Sequence, residues 1–425
     1  KAQEVETLTL EDCLRIGIDN NLSLEGKRKE IQKSKYGVSE NRSKLLPQIT
    51  VIAGYNNNFD PPVSVTDGSS YGVPYNITKT LQHTANAGLE MQMPLFNQTL
   101  YTSMSIAKVM EEISRLSYGK AREDIIMQIS KMYYLGQVTA EQIVLIKANI
   151  TRLEELRDIT QAFFDNGMSM EVDLKRVNIN LENLKVQYDN AQAMMKQQLN
   201  MLKYIMDYPA EKEFVLTPVN TDSITTVALT GLSENIYELQ LSQSQVQLAE
   251  KQKKIISNGY IPSLSLTGSW RYAAYTDKGY HWFHSGPSNH WFRSYGLGLT
   301  LRIPIFDGLD KTYKIKKAMI DIENRKLAWE NARKSLQTQY LNAVNDLMNN
   351  QRNFKKQKDN YLLAEDVYTV TSDRYREGIA SMTEVLQDEM QMSEAQNNYI
   401  SAHYNYRITN LMLLKLTGQI ESLVK

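Results

Sequence analysis

Gly298-Leu299-Thr300-Leu301-Arg302-Ile303-Pro304-Ile305-Phe306 alternates apolar and polar side chains up to a proline. Gly88-Leu89-Glu90-Met91-Gln92-Met93-Pro94-Leu95-Phe96 does the same about 210 residues earlier. Alternation with a period of two marks a strand with two unlike faces. Upstream, Leu46-Pro47-Gln48-Ile49-Thr50-Val51 matches Ile261-Pro262-Ser263-Leu264-Ser265-Leu266. Downstream, Phe164-Asp165-Asn166-Gly167 corresponds to Tyr375-Arg376-Glu377-Gly378. The offset is nearly constant, so the chain is an internal duplication.

Four strands are expected, about 48–59, 82–93, 263–275 and 292–303. Ile49, Val51, Ala53 and Tyr55 share a face of the first, and Ala85 to Met93 alternate with Thr84 to Gln92 in the second. Leu264, Leu266, Trp270 and Tyr272 share a face of the third, and Tyr295, Leu297, Leu299, Leu301 and Ile303 a face of the fourth. Such segments suit a transmembrane β-barrel with a wet lumen or a soluble antiparallel sheet on a core; alternation does not separate them. Aromatic residues at the strand ends favour the barrel, as a girdle at the membrane–water boundary. They include Tyr55, Phe59, Tyr71 and Tyr75 near the first hairpin, and Trp270, Tyr280, Trp282, Trp291 and Phe292 near the second. Residues 60–80 and 276–291, rich in Gly, Ser, Pro and Asn, read as outward loops.

The ten prolines leave two Pro-free stretches, each roughly 115 to 120 residues long and free of the residue that breaks helices. Helices are expected from Asn97 to Phe164 and from Gly308 to Tyr375, each on the order of 100 Å long at 1.5 Å per residue. After the turn at Gly167, Leu174, Val177, Leu181, Leu184, Tyr188, Ala191 and Met195 step by threes and fours. Met392, Ala395, Tyr399, Ala402 and Tyr406 repeat the rhythm, which is that of coiled-coil packing. The expected organisation is a first repeat (1–210), a linker (211–232), a second repeat (233–417) and a tail (418–425).

Lysine plus arginine balance aspartate plus glutamate at 48 each among 425 residues, which argues against a nucleic-acid partner. No apolar run approaches the roughly 18 residues of a spanning helix. Lys1-Ala2-Gln3-Glu4 reads as a mature or trimmed start. The lone Cys13 reads as a half-buried small apolar residue. His281, His284 and His290 could bind a metal in principle, but they sit in an aromatic loop and are not assigned one. Met194, Met195, Met390 and Met392 read as core filling, not a copper path. No cofactor motif or catalytic spacing is present, so no enzyme is expected.

Four strands cannot close a barrel, and an open edge has no place in hydrocarbon. Two copies would pool eight strands around a filled interior; three would pool twelve around a usable lumen. Duplicated halves, Pro-flanked amphipathic hairpins and very long coiled-coil helices resemble the TolC family of outer-membrane efflux proteins over essentially the whole chain. The resemblance implies a mainly α homotrimer whose twelve-stranded outer-membrane β-barrel continues as a periplasmic α-helical barrel. It implies a passive duct for small molecules, docked on a periplasmic adaptor and an inner-membrane pump. The segment from Pro209 to Leu232, with the tail beyond Gly418, would form the belt of that helical barrel.

By the same resemblance, the tips Gly167, Met168, Ser169 and Gly378, Ile379, Ala380 contact the adaptor. Asp173 and Glu384, followed by Gln387, would line the periplasmic constriction as a cation-attracting ring. Tyr375 matches a tyrosine that hydrogen-bonds between neighbouring hairpins, with Asp173 as its expected partner. Two positions depart from the pattern: Gln387 stands where the prototype has a second acid, and Ala380 where it has an arginine. A lock at the tip then falls to Arg374 or Arg376. Two rivals stay open: a duct for protein secretion or metal efflux, and a soluble coiled-coil scaffold.

Overall fold

The computed structural model describes residues 6–218, 229–276 and 291–424. In chain order its main elements are β1 (Glu6–Leu8), α1 (Leu10–Asn20), α2 (Leu22–Ser43), β2 (Gln48–Asn57), β3 (Val63–Asp67), β4 (Tyr75–Lys79), β5 (His83–Phe96), α3 (Gln98–Asp165) and α4 (Glu171–Met206). They continue with β6 (Phe214–Leu216), α5 (Tyr237–Ser257), β7 (Ser263–Thr276), β8 (Trp291–Arg302), α6 (Asp310–Arg376) and α7 (Met382–Leu416). The chain divides into two compact units, one of residues 1–31, 113–243 and 327–425, the other of 32–112 and 244–326. Each unit draws on both repeats.

The second unit holds a four-stranded antiparallel sheet in the order β2-β5-β7-β8. Register explains why the alternation is so regular. Val51 lies opposite Leu89, Leu89 opposite Trp270, and Trp270 opposite Tyr295. The apolar sets of all four strands therefore fall on one side, because paired residues share a face. The other side carries Thr50, Glu90, Ser269 and Gly296 in one paired row, and Glu90 forms an ion pair with Arg271. The pairing slips between Pro94 and Phe96, where proline offers no N–H to the ladder.

The apolar side is uncovered: Val51 is 73% exposed, Leu297 79% and Leu299 67%. Soluble proteins rarely leave so large an apolar face in water. Every residue of the edge strand β8 is exposed, and among the described residues neither β2 nor β8 has a second neighbour.

Residues 60–80 are not all loop. Val63-Ser64-Val65-Thr66-Asp67 and Tyr75-Asn76-Ile77-Thr78-Lys79 pair as the hairpin β3–β4, because both alternate with a period of two inside a Gly- and Pro-rich surround. The expected loop across 276–291 and its aromatic and histidine residues lie mostly outside the described residues, as do 219–228 of the linker and Lys1 to Glu4.

Each strand pair feeds a very long helix through a short polar cap. Asn97 Oδ1 accepts from the Thr99 and Leu100 amides at 3.0 and 3.3 Å and opens α3. Asp307 Oδ2 accepts from the Lys311 amide and its Nζ at 3.2 and 2.9 Å at the head of α6. Both are side-chain substitutes for absent helical carbonyls.

In the first unit, β1 runs parallel to β6, pairing Leu8 with Leu216. Around this pair lies a core of Leu14, Ile126, Ile129, Leu202, Met206 and Leu411. Cys13 belongs to that core and is fully buried, not half-buried; burial pushes its thiol up to about 12. α7 departs from a simple apolar seam. Glu389, Gln396, His403 and Asn410 recur every seventh residue and are all buried. Asn149 and Gln396 exchange amide hydrogen bonds at 2.7 and 3.4 Å, and His403 Nε2 accepts from Arg407 Nε at 3.0 Å.

Candidate functional site

The two helical tips are built alike. Gly167 and Gly378 have φ of 75° and 74°, a left-handed conformation that side chains with a Cβ rarely adopt. The Gly167 amide donates to Phe164 O at 2.9 Å and the Met168 amide to Phe163 O at 2.8 Å. At the second tip the Gly378 amide donates to Tyr375 O at 2.9 Å and the Ile379 amide to Arg374 O at 2.8 Å. Both are Schellman closures, which satisfy the last carbonyls of α3 and α6. Met168 and Ile379 are exposed at the ends of these turns.

Behind the tips, α3, α4, α6 and α7 share a core of Leu153, Leu156, Val177, Leu181, Val385 and Met392. Tyr375 is buried in it, with its ring 5.6 Å from that of Phe163. Its hydroxyl donates to Thr160 Oγ1 at 3.3 Å. The expected partnership with Asp173 is therefore not the one made within the chain. Asp173 accepts instead from Arg176 at 3.2 Å, one turn along its own helix.

Glu384 also has a local task that the sequence reading overlooked. Its Oε2 accepts from the Ser381 amide at 2.7 Å and the Ser381 hydroxyl at 3.0 Å, while Ser381 Oγ accepts from the Glu384 amide at 3.3 Å. This is a capping box, and those hydrogen bonds hold the Glu384 carboxyl below the usual range. The pattern Ser381-Met382-Thr383-Glu384 was the available signal. Gln387 is exposed, on the face of α7 toward α4. Arg376 reaches Glu155 of α3 at 3.4 Å and Asp373 at 3.2 Å, which ties the second tip to the first helix pair. Among the described residues, no group of three or more His, Cys, Asp and Glu is placed to hold a metal, and no helix is long and apolar enough to cross a membrane.

The family model described as "Outer membrane efflux protein" matches residues 16–206 and 220–419. The chain belongs to that family. It is 21% identical to the outer membrane protein TolC of Vibrio cholerae, over 90% of this chain and 84% of that protein. It is 23% identical to a toluene efflux pump outer membrane protein of Pseudomonas putida, over 84% of this chain and 75% of that one. Among solved structures, the outer membrane protein VceC of Vibrio cholerae superposes with a TM-score of 0.76 at 14% identity, covering 96% of both chains. CusC superposes with a TM-score of 0.80 at 14% identity, covering 96% of this chain and 91% of that one. The outer membrane efflux proteins are outer-membrane channels with a periplasmic part, and this chain takes its compartment from the family.

Proposed function

We propose that three copies of this chain assemble into a passive duct through the outer membrane and the periplasm. The carrying observation is the sheet with an uncovered apolar face and two unpaired edges. In hydrocarbon those edges need partners, and joining β8 of one copy to β2 of the next supplies them. Three copies give the twelve strands that leave a bore. The polar face then lines the lumen and the apolar face meets lipid.

A second feature supports assembly. Tyr313, Ile320, Leu327, Leu341, Met348 and Leu362 are exposed on α6 and fall on one heptad position, which Lys334 and Lys355 interrupt. Such a seam is what a coiled coil offers another helix.

In this reading the duct serves an adaptor and an inner-membrane pump, which supplies the energy, and the exported cargo is small molecules. Gly167, Met168, Ser169, Gly378, Ile379 and Ala380 present the adaptor contact. Asp173, Tyr375, Glu384 and Gln387 belong to the periplasmic constriction. The test is the native mass of detergent-extracted protein against the 48.8 kDa of one chain. A threefold mass in the outer-membrane fraction supports the duct, and a detergent-free monomer overturns it.

A further inference from the structure

A pocket of about 430 Å³ sits on the polar face of the sheet, at the end where the strands join the helices. Its lining includes Gln48, Gln92, Ser265, Thr300, Lys44 and Arg302. Gln48 opens β2, and Arg302 closes β8 opposite Ser263, the first residue of β7. The register between β7 and β8 is unbroken, so Arg302 emerges on the same side as Thr300, Gly298 and Gly296. That side is the polar one.

Charge on this side is unbalanced. Among the described residues the four strands hold one acid, Glu90, and Arg271 already pairs with it. Arg302 is exposed, and its guanidinium has no ion pair or hydrogen bond among the described residues. Lys44, the second cation on the pocket, is held loosely, by Glu40 and Asn41 at 3.4 Å each. Among the described residues no acid lines the pocket itself. Helix α3 also begins here, with Asn97 and Leu100 in the lining, and the positive end of its dipole adds to the field. A planar guanidinium offers paired N–H donors that match a carboxylate or a phosphate. The amides and hydroxyls around it can supply more donors.

We propose that Arg302 sets the charge preference of the duct, as a cationic ring of three copies at the base of the bore that takes the carboxylate or phosphate groups of small organic anions. The proposal rests on the duct reading, in which the polar face lines the lumen. Joining β8 to β2 of the next copy does not neutralise the ring, because β2 carries no acid. Rings of basic side chains favour anions over cations.

The test is the reversal potential of the reconstituted protein in planar bilayers under a KCl gradient. Every protein compared carries Asp173→Asn and Glu384→Gln, so that the tip carboxylates do not set the ratio. Arg302→Gln should lower the chloride-to-potassium permeability ratio about twofold or more, and Arg302→Lys should keep it. Lys44→Gln should lower it less, and it reads the same pocket if Arg302→Gln fails to assemble. Arg293→Gln removes an arginine from the opposite face of the same strand and should leave the ratio unchanged. An unchanged ratio in the Arg302→Gln and Lys44→Gln proteins, or an equal fall with Arg293→Gln, overturns the proposal and leaves the duct standing. If none of the proteins conducts, the duct reading falls and the proposal falls with it.

Discussion

The Tyr375 hydroxyl donates to Thr160 Oγ1, and the Thr160 hydroxyl donates in turn to the Leu156 carbonyl at 2.7 Å. This relay ties the end of α6 to α3 inside the core behind the tips. Removing the hydroxyl with Tyr375→Phe keeps the ring packing and leaves Thr160 its own acceptor. A cost of about 1 kcal/mol is expected, read as a small fall in melting temperature. If the tip gates conduction, single-channel recordings of this variant show more frequent opening; an unchanged record removes Tyr375 from the gate.

The capping box at Ser381 predicts a separable effect. Ser381→Ala should destabilise α7 by about 1 kcal/mol; it removes the hydroxyl donor to the Glu384 carboxylate and leaves the backbone amide donor in place. Glu384→Gln keeps one acceptor oxygen and should cost less. If Glu384 also faces the pore, Glu384→Gln weakens block by multivalent cations. Stability loss without a change in block leaves Glu384 as a cap alone.

Glu123 supplies a pH dependence. Burial pushes its carboxyl up to about 7, with Lys415 opposing the shift. A folded-state value above the unfolded one means that the protonated group favours the fold. That contribution is full below the ordinary glutamate value and is lost as pH rises through about 7. Glu123→Gln should therefore melt higher than the parent at about pH 8 and no higher at about pH 5. Parallel melting curves at both pH values would refute the assignment.

The lipid-facing reading of the sheet predicts that position matters by face. Leu297→Arg lies on the exposed apolar side and should cost about 2–4 kcal/mol at mid-membrane. Gly296→Ser, one residue away on the polar side with open space at its Cβ, should assemble normally. Heat-modifiable mobility of the membrane-extracted protein distinguishes the two, and equal assembly of both would count against a membrane face.

Much of this was legible because two environments force a period on the chain. Strands β5, β7 and β8 alternate cleanly since one face is apolar throughout and the other polar. Gly167 and Gly378 announced the tips because a left-handed turn tolerates few other residues. What stayed hidden depended on distant pairing. β1 and β6 are three residues each, too short to show a period, and they bring the start of the first repeat against the linker that follows it. Hairpin β3–β4 was masked by the Gly and Pro around it. Glu389 looked like one more helical charge, because only packing reveals that it occupies a core position. Tyr375 lies in the core behind the tips, and its partner Thr160 is one of many threonines that nothing in its spacing singles out.

The polar residues spaced by sevens along α7 restrict how that helix can move. Sliding it by a single turn would strand Gln396 from Asn149 and His403 from Glu141, which lies 3.5 Å from its Nδ1. Each stranded group would cost about 1–3 kcal/mol, and the pattern comes back into phase only after about 10 Å of travel. Piston-like displacement is thus penalised, while a tilt or an untwisting that preserves these pairs is not. The helix behaves as a keyed shaft, free to lean but held against axial slip.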